Sequence, residues 1–362
     1  MSRTRLLNSL CLSFLLAAAA LGQTERKVAP VPGDPLELAT GPARVVDAPE
    51  ERASVLSLVE RARQNNNLHA PGGAPYELKV SFNAMGQTPY NGVGELSETW
   101  AAPGMWRWSE RLGSYTQERV FHGGVAYDTN PQTYQPLRLQ LVREAIFWPV
   151  AGNLASRSIR VAQAQWQGKP VTCVLISAGR SRGDSTSGRR WEEEEFCVDQ
   201  QTGLLQTYSV APGLYNVYDY GNAVQFHGHT VARQFSIVEN GSTVVQARVE
   251  SLSDLGAVDA NAFTPTQEMR GPGAIIREPV RFPQVVKGSA TVPEGTIQPV
   301  VVLAALDASG KVLEAEALQT SDPTLSEEAL RLVRSTNYGP TRGAVPLQRE
   351  FFIRVQFMSG QQ

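Results

Sequence analysis

The chain is poor in the residues from which metal centres and disulfide scaffolds are built: 3 cysteines and 4 histidines among 362 residues. That supply excludes a disulfide-dense scaffold and any zinc module with Cys-x-x-Cys ligand pairs. An excess of one charge is also missing. The 33 Lys and Arg set against 35 Asp and Glu leave a net −2. With no basic stripe and no recognised nucleic-acid motif, nothing points to DNA or RNA. There is no phosphate-cradling glycine loop. No apolar run reaches the roughly 20 residues of a comfortable membrane span.

An apolar run does occur near the start, from Leu10 to Leu21, behind Arg3 and Arg5. It contains Cys11 and ends in Ala20, Leu21 and Gly22. This pattern predicts a signal peptide over 1–22, cut before Gln23, and hence export. An uncleaved short anchor is the alternative. Residues 23–48, with Pro30, Pro32, Pro35 and Pro42, have no period and read as a linker.

From about residue 49 the pattern changes. Glu50 to Arg63 is predicted as a helix, stopped by Asn65, Asn66 and Asn67. Strands follow almost without interruption to Pro265. Leu96, Glu98 and Trp100 alternate with polar residues, and Trp106 and Trp108 share one face. Such alternation means one face in a core and one in water. Gln135 to Leu154 breaks the alternation with one or two helical turns. Asn240-Gly241 is a two-residue hairpin signal.

Two cysteines of the mature chain, Cys173 and Cys197, lie in predicted strands on either side of a polar loop, Arg180 to Arg190. An exported pair favours a disulfide, with two free buried thiols as the alternative. His227 and His229 could share a strand face and hold a metal, but no third ligand has motif spacing, so they read as a solvated turn or strand end. Gly183-Asp-Ser185 lacks the strand–turn–helix setting of a nucleophile. Glu192 to Glu195 read as solvated surface. No catalytic, metal or cofactor site can be assembled, and the chain is expected not to be an enzyme. The aromatics remain: Trp100, Trp106, Trp108, Tyr127 and Tyr218 could line an apolar groove on the concave side of a curved sheet.

The last eighty residues read strand, turn, strand, helix, strand. Val300 to Leu306 suits a strand packed on its inner face, Asp307 to Gly310 a turn, and Leu325, Ala329, Leu332 and Val333 one helical stripe. Phe351, Ile353, Val355 and Phe357 form one side of a closing strand. This stretch resembles the C-terminal domain of TonB. Asp307, Gly310, Val312, Leu325, Ala329, Leu330, Val333, Arg334, Tyr338, Pro340, Gly343 and Pro346 fall on that family's pattern in order. Thr336 and the Arg281-Phe282-Pro283 segment depart from it. The stretch before Pro265 is similar to the half-barrel proteins that carry lipoproteins across the periplasm (LolA-like). The likeness rests on Gly92 to Leu96, Pro103 to Arg107, Asp199 to Leu205 and Phe263-Thr264-Pro265.

The expected fold class is α+β. A large antiparallel curved sheet or half-barrel with an N-terminal helix (49–268) precedes a linker (269–282) and a small ββαβ domain (283–358). The resemblances imply a periplasmic binding protein with no cofactor. Its C-terminal domain would contact an envelope protein, an outer-membrane receptor among them, by strand addition along a free edge carrying Gln348, Glu350, Phe352, Arg354 and Gln356. The β domain would take an apolar ligand or a protein. The alternatives are a lipid or lipoprotein carrier and a structural envelope assembly factor.

Overall fold

The computed structural model describes residues 27–28, 43–70, 72–86, 88–129, 134–147, 154–178, 189–273, 275–276, 280–281, 285–289, 291–320, 322–340 and 347–359. The expected signal peptide and the Gly183-Asp-Ser185 segment lie outside them, as do Gly343 and Pro346.

In chain order the elements are β1 (Lys27–Val28), β2 (Arg44–Val45), α1 (Pro49–Asn66), β3 (Tyr76–Ala84), β4 (Gly92–Ala102), β5 (Met105–Leu112), β6 (Tyr115–His122) and β7 (Val125–Asp128). Helix α2 (Leu137–Phe147) follows, then β8 (Ser158–Trp166), β9 (Lys169–Ser177), β10 (Glu194–Asp199), β11 (Leu205–Ala211) and β12 (Leu214–Asp219). Next come β13 (Val224–Phe226), β14 (His229–Val231), β15 (Gln234–Glu239), β16 (Ser242–Asp254), β17 (Ile275–Ile276), β18 (Val280–Arg281) and β19 (Val285–Ser289). The chain closes with β20 (Thr296–Leu306), β21 (Val312–Gln319), α3 (Pro323–Ser335) and β22 (Leu347–Ser359).

Thirteen strands form one sheet in the order β2-β8-β9-β10-β11-β12-β15-β16-β3-β4-β5-β6-β7. Every pairing in it is antiparallel. The expected α+β class, dominated by a large antiparallel sheet, is what the chain forms. The alternation sets the faces: in β4 the residues at 94, 96, 98 and 100 are buried while Val93 and Glu95 are exposed. Gly94 sits opposite Phe82, whose ring fills the space a Cβ would need. Asn240 and Gly241 both take the left-handed conformation of the expected tight hairpin. The strand expected over Thr230 to Val238 is instead two, because β14 folds back on β13.

The second sheet is built around β22. It pairs antiparallel with β20 along Ile297–Leu306 and parallel with β17, β18 and β19 on its other border. The expected order strand, turn, strand, helix, strand over 296–359 is present. Within the expected linker, Ile275–Ile276 and Val280–Arg281 pair with the second border of β22, and Val285–Ser289 beyond it continues that pairing. β1, from the expected N-terminal linker, pairs parallel with β20.

β20 is buried on both faces. Val300, Val302, Ala304 and Leu306 pack with Leu325, Ala329 and Val333 of α3. Val301, Leu303 and Ala305 join Phe352 and Leu318 in the core of the large sheet and α2. The continuous apolar run reports this, since a strand with one wet face would alternate. Eight of the eleven residues of α2 are buried, Arg138 and Gln140 among them, so the helix is enclosed although it carries polar and charged side chains. It lies between the concave face of the large sheet and the open face of the small one.

Candidate functional site

The concave face presents Tyr76, Trp100, Trp106 and Trp108 from neighbouring strands, with Phe121 and Tyr218 further out. Trp106 stacks on Trp108 at 4.6 Å and on Phe121 at 5.3 Å between ring centroids. Tyr76 stacks on Trp100 at 5.6 Å. The Tyr218 hydroxyl donates to the carbonyl of Ala145 in α2 at 2.9 Å. Of the five residues expected to line an apolar groove, Trp100, Trp106, Trp108 and Tyr218 share this face. Tyr127 does not. It pairs with Val120 while its neighbour Asp128 takes the inward position opposite Arg119, so the Tyr127 ring lies on the outer side against Gly271. The groove is filled in this structure: α2 occupies it, and Trp100, Trp108 and Tyr218 are buried beneath it.

Charged groups stand at inward positions among these rings. Glu98, between Leu96 and Trp100, is buried. It accepts from the Tyr76 hydroxyl at 3.0 Å and lies 3.1 Å from Nε2 of His69. His69 in turn stacks on Phe147 of α2 at 4.1 Å. The guanidinium of Arg143, also on α2, lies 3.8 Å above the Trp108 ring. Arg119 grips Asp128 with both ends of its fork, one contact at 2.6 Å, and both residues are buried. Glu110 accepts from Nε2 of Gln135 at 2.6 Å, and its other oxygen has no partner. Burial pushes the Glu110 carboxyl up to about 7, against the opposing pull of Gln135, Arg119 and Arg143.

The N-terminus of α2 is held by the small sheet. Oε2 of Glu314 accepts from the backbone N–H of Leu137 at 3.0 Å, one of the donors a helix start leaves open. Gln348 and Gln135 exchange two bonds: the Gln135 N–H donates to Oε1 at 2.7 Å, and Nε2 donates to the Gln135 carbonyl at 2.9 Å. Arg138 pairs with both oxygens of Glu239 and lies 3.0 Å from Glu316.

These contacts correct the expected docking edge. β22 has strands on both borders, so its backbone offers no row of free groups. Gln348, Glu350, Phe352 and Gln356 are buried facing the large sheet, and Arg354 is half-buried. Sequence shows which residues share a side of a strand but not which segment pairs with its border.

Cys173 and Cys197 are directly opposed in β9 and β10 and form the expected disulfide. Glu195 is the third member of the one metal-donor group that converges among the described residues, but both sulfurs of that group are already bonded to each other. The reading of Glu192 to Glu195 as solvated surface fails for two of the four: Glu193 forms a bidentate pair with Arg160 at 2.7 Å, and Glu195 lies 3.7 Å from Arg189, all buried. His227 contacts Asp254 at 2.5 Å and His229 the carbonyl of Gln64 at 2.7 Å, so the two rings do not converge. A separate groove of roughly 1190 Å³ crosses the outer face of β3 to β6. It is polar, floored by the Ser97–Ser109 hydroxyl pair and the Glu95–Arg111 ion pair.

No family model and no curated protein matches the chain, so membership of the TonB C-terminal family has no support there. Solved structures to which it is similar include a LolA superfamily protein from Nitrosomonas europaea. That protein is 11% identical, with 58% of this chain and 97% of that one covered, at a TM-score of 0.37. A putative outer membrane lipoprotein-sorting protein domain from Vibrio parahaemolyticus is 7% identical, covering 59% and 97%, at 0.36. The Pseudomonas aeruginosa MucA/MucB complex gives 12% identity, 76% and 96% coverage, and 0.28. Likeness at these scores assigns neither function nor binding residues.

Proposed function

We propose that the chain is an exported, non-enzymatic binding protein of the periplasm. Its curved sheet takes an apolar ligand, an acyl chain in particular, in the groove that α2 fills in this structure. One observation carries the reading. A groove lined by Trp100, Trp106, Trp108 and Tyr218 is closed by a single eleven-residue helix. That helix is tied at its ends by polar groups rather than being one of the strands of the sheet. Proline and glycine, at Pro131, Pro136, Pro149 and Gly152, punctuate the sequence on either side of it. A displaced α2 would leave an aromatic-walled channel with a few polar groups, the make-up of a ligand site. Export rests on the N-terminal run behind Arg3 and Arg5, and no helix among the described residues is long and apolar enough to cross a membrane.

The test is direct. Protein purified from envelope extract is analysed by mass spectrometry for retained lipid, and titrated with a brominated fatty acid while tryptophan emission is followed. Retained acyl lipid and saturable quenching are expected, with quenching reduced in Trp108→Phe. An empty protein that shows no saturable quenching would rule the reading out.

A further inference from the structure

Beside the groove itself, the seam between α2 and the small sheet has an unusual charge balance. Among the described residues, Arg138 contacts two buried carboxyls, those of Glu239 on β15 and Glu316 on β21, and a third, Glu314 on β21, accepts from the neighbouring Leu137 N–H. Glu239 takes both ends of the guanidinium fork. Glu316 is left beside it with one ion-pair contact at 3.0 Å and no hydrogen-bond donor for either oxygen. Glu314 spends one oxygen on the Leu137 N–H, and its other oxygen has no donor. Glu239 and Glu316 meet on the same Nη2 of Arg138. Two carboxylates cannot bond each other; a carboxyl and a carboxylate can. Among the described residues, the other charged and titratable groups facing the seam are Glu144 on α2, Tyr134 ahead of it, Glu350 on β22 and, through Gln135, Glu110 on β5. Glu350 faces Glu144 across the same contact, like charge to like.

We propose that this seam is a proton-operated latch on α2: with a proton held on Glu314 or Glu316 the small sheet holds the helix start, and with both ionised beside Glu239 it lets go. The residues that would let go are those that cap and grip the first turn, so release would begin at Leu137 and Arg138. Burial and mutual repulsion raise the carboxyls of Glu314, Glu316 and Glu350. A group whose folded-state value is raised stabilises most below its unfolded value and loses that contribution as pH rises through the folded one. The latch is therefore tight in acid and loosens as pH rises. It is a property of the seam and does not depend on what the groove binds.

Hydrogen exchange of the full chain without ligand tests this, with rates corrected for intrinsic exchange. Amides at the start of α2 are expected to open about tenfold more at about pH 8 than at about pH 5, a difference of about one unit of proton linkage. Glu316→Gln supplies a permanent donor and should keep the acid-like protection at both values. Glu328→Gln, on α3, should leave the wild-type slope unchanged. Should Glu316→Gln fail to fold by circular dichroism, Glu314→Gln keeps an acceptor for Leu137 and carries the same expectation. A flat wild-type profile, or an unaltered slope in the Gln variant that folds, overturns the latch. Neither outcome bears on lipid retention, so the two proposals fail separately.

Discussion

At the scale of single residues, the sequence carried a signal that alternation alone does not interpret. Glu98, Glu110 and Arg119 stand at the same parity as Leu96, Trp108 and Phe121, the inward one. A charge in phase with a core face is either an error of register or a buried group with partners, and here it is the latter. The cost of such burial is testable at Glu110. Its carboxyl is raised to about 7, so its contribution is full below the unfolded value near 4.5 and falls as pH rises through 7. Glu110→Gln is expected to be more stable than wild type at about pH 8, by up to about 3 kcal/mol, with the difference vanishing at about pH 4. Urea unfolding at the two pH values measures it, and an equal difference at both would show that the carboxyl does not titrate in this range. Gly310 offers a second test. It takes a left-handed conformation, and a Cβ there would come within 2.2 Å of the Gly339 carbonyl oxygen. Gly310→Ala should cost about 2 kcal/mol or more, read from the same unfolding curves.

At the scale of elements, strands and helices were legible where a period of two or of 3.6 prevailed. β3, β4 and β5 alternate cleanly, and α3 shows one apolar stripe with Leu325, Ala329 and Val333 buried. α2 was harder to read. Arg138, Gln140, Arg143 and Glu144 interrupt a short apolar segment, so it reads as one or two helical turns where there are eleven helical residues. The pairing of β22 was not legible at all, because backbone hydrogen bonds to β17, β18 and β19 leave no mark in its side chains. The disulfide was legible from compartment and spacing, and β9 and β10 place it between paired residues 24 apart in sequence. Replacing both cysteines by serine should lower stability by about 3 kcal/mol through the freed unfolded chain. Denaturant titration checks this, and a loss well below about 1 kcal/mol would mean that the β9–β10 pairing already constrains the unfolded ensemble.

At the scale of the whole molecule, the issue is whether the chain is two domains on a linker or one cooperative body. A boundary near residue 268 fits the change in pattern, and a linker there would let the two parts unfold separately. The packing argues otherwise. Val301, Leu303, Ala305, Leu318 and Phe352 of the small sheet belong to the same apolar cluster as Leu137, Leu141 and Tyr218. The segment after the large sheet bridges the two, with Arg270 paired to Asp128 at one end and Ile275 to Leu347 at the other. Separating the parts would expose the outer face of α2 and the inner face of β20, an apolar area that neither isolated fragment can cover. Calorimetry of the full chain is therefore expected to give a single transition whose van't Hoff and calorimetric enthalpies agree. A chain ending at residue 268 should be insoluble or bind a hydrophobic dye strongly, since α2 would lose its outer cover. Two resolved transitions, together with a soluble fragment that binds no dye, would show that the shared core contributes little and that the small sheet is an appendage. In that case α2 would have to be held by Arg143, Tyr218 and the concave face alone.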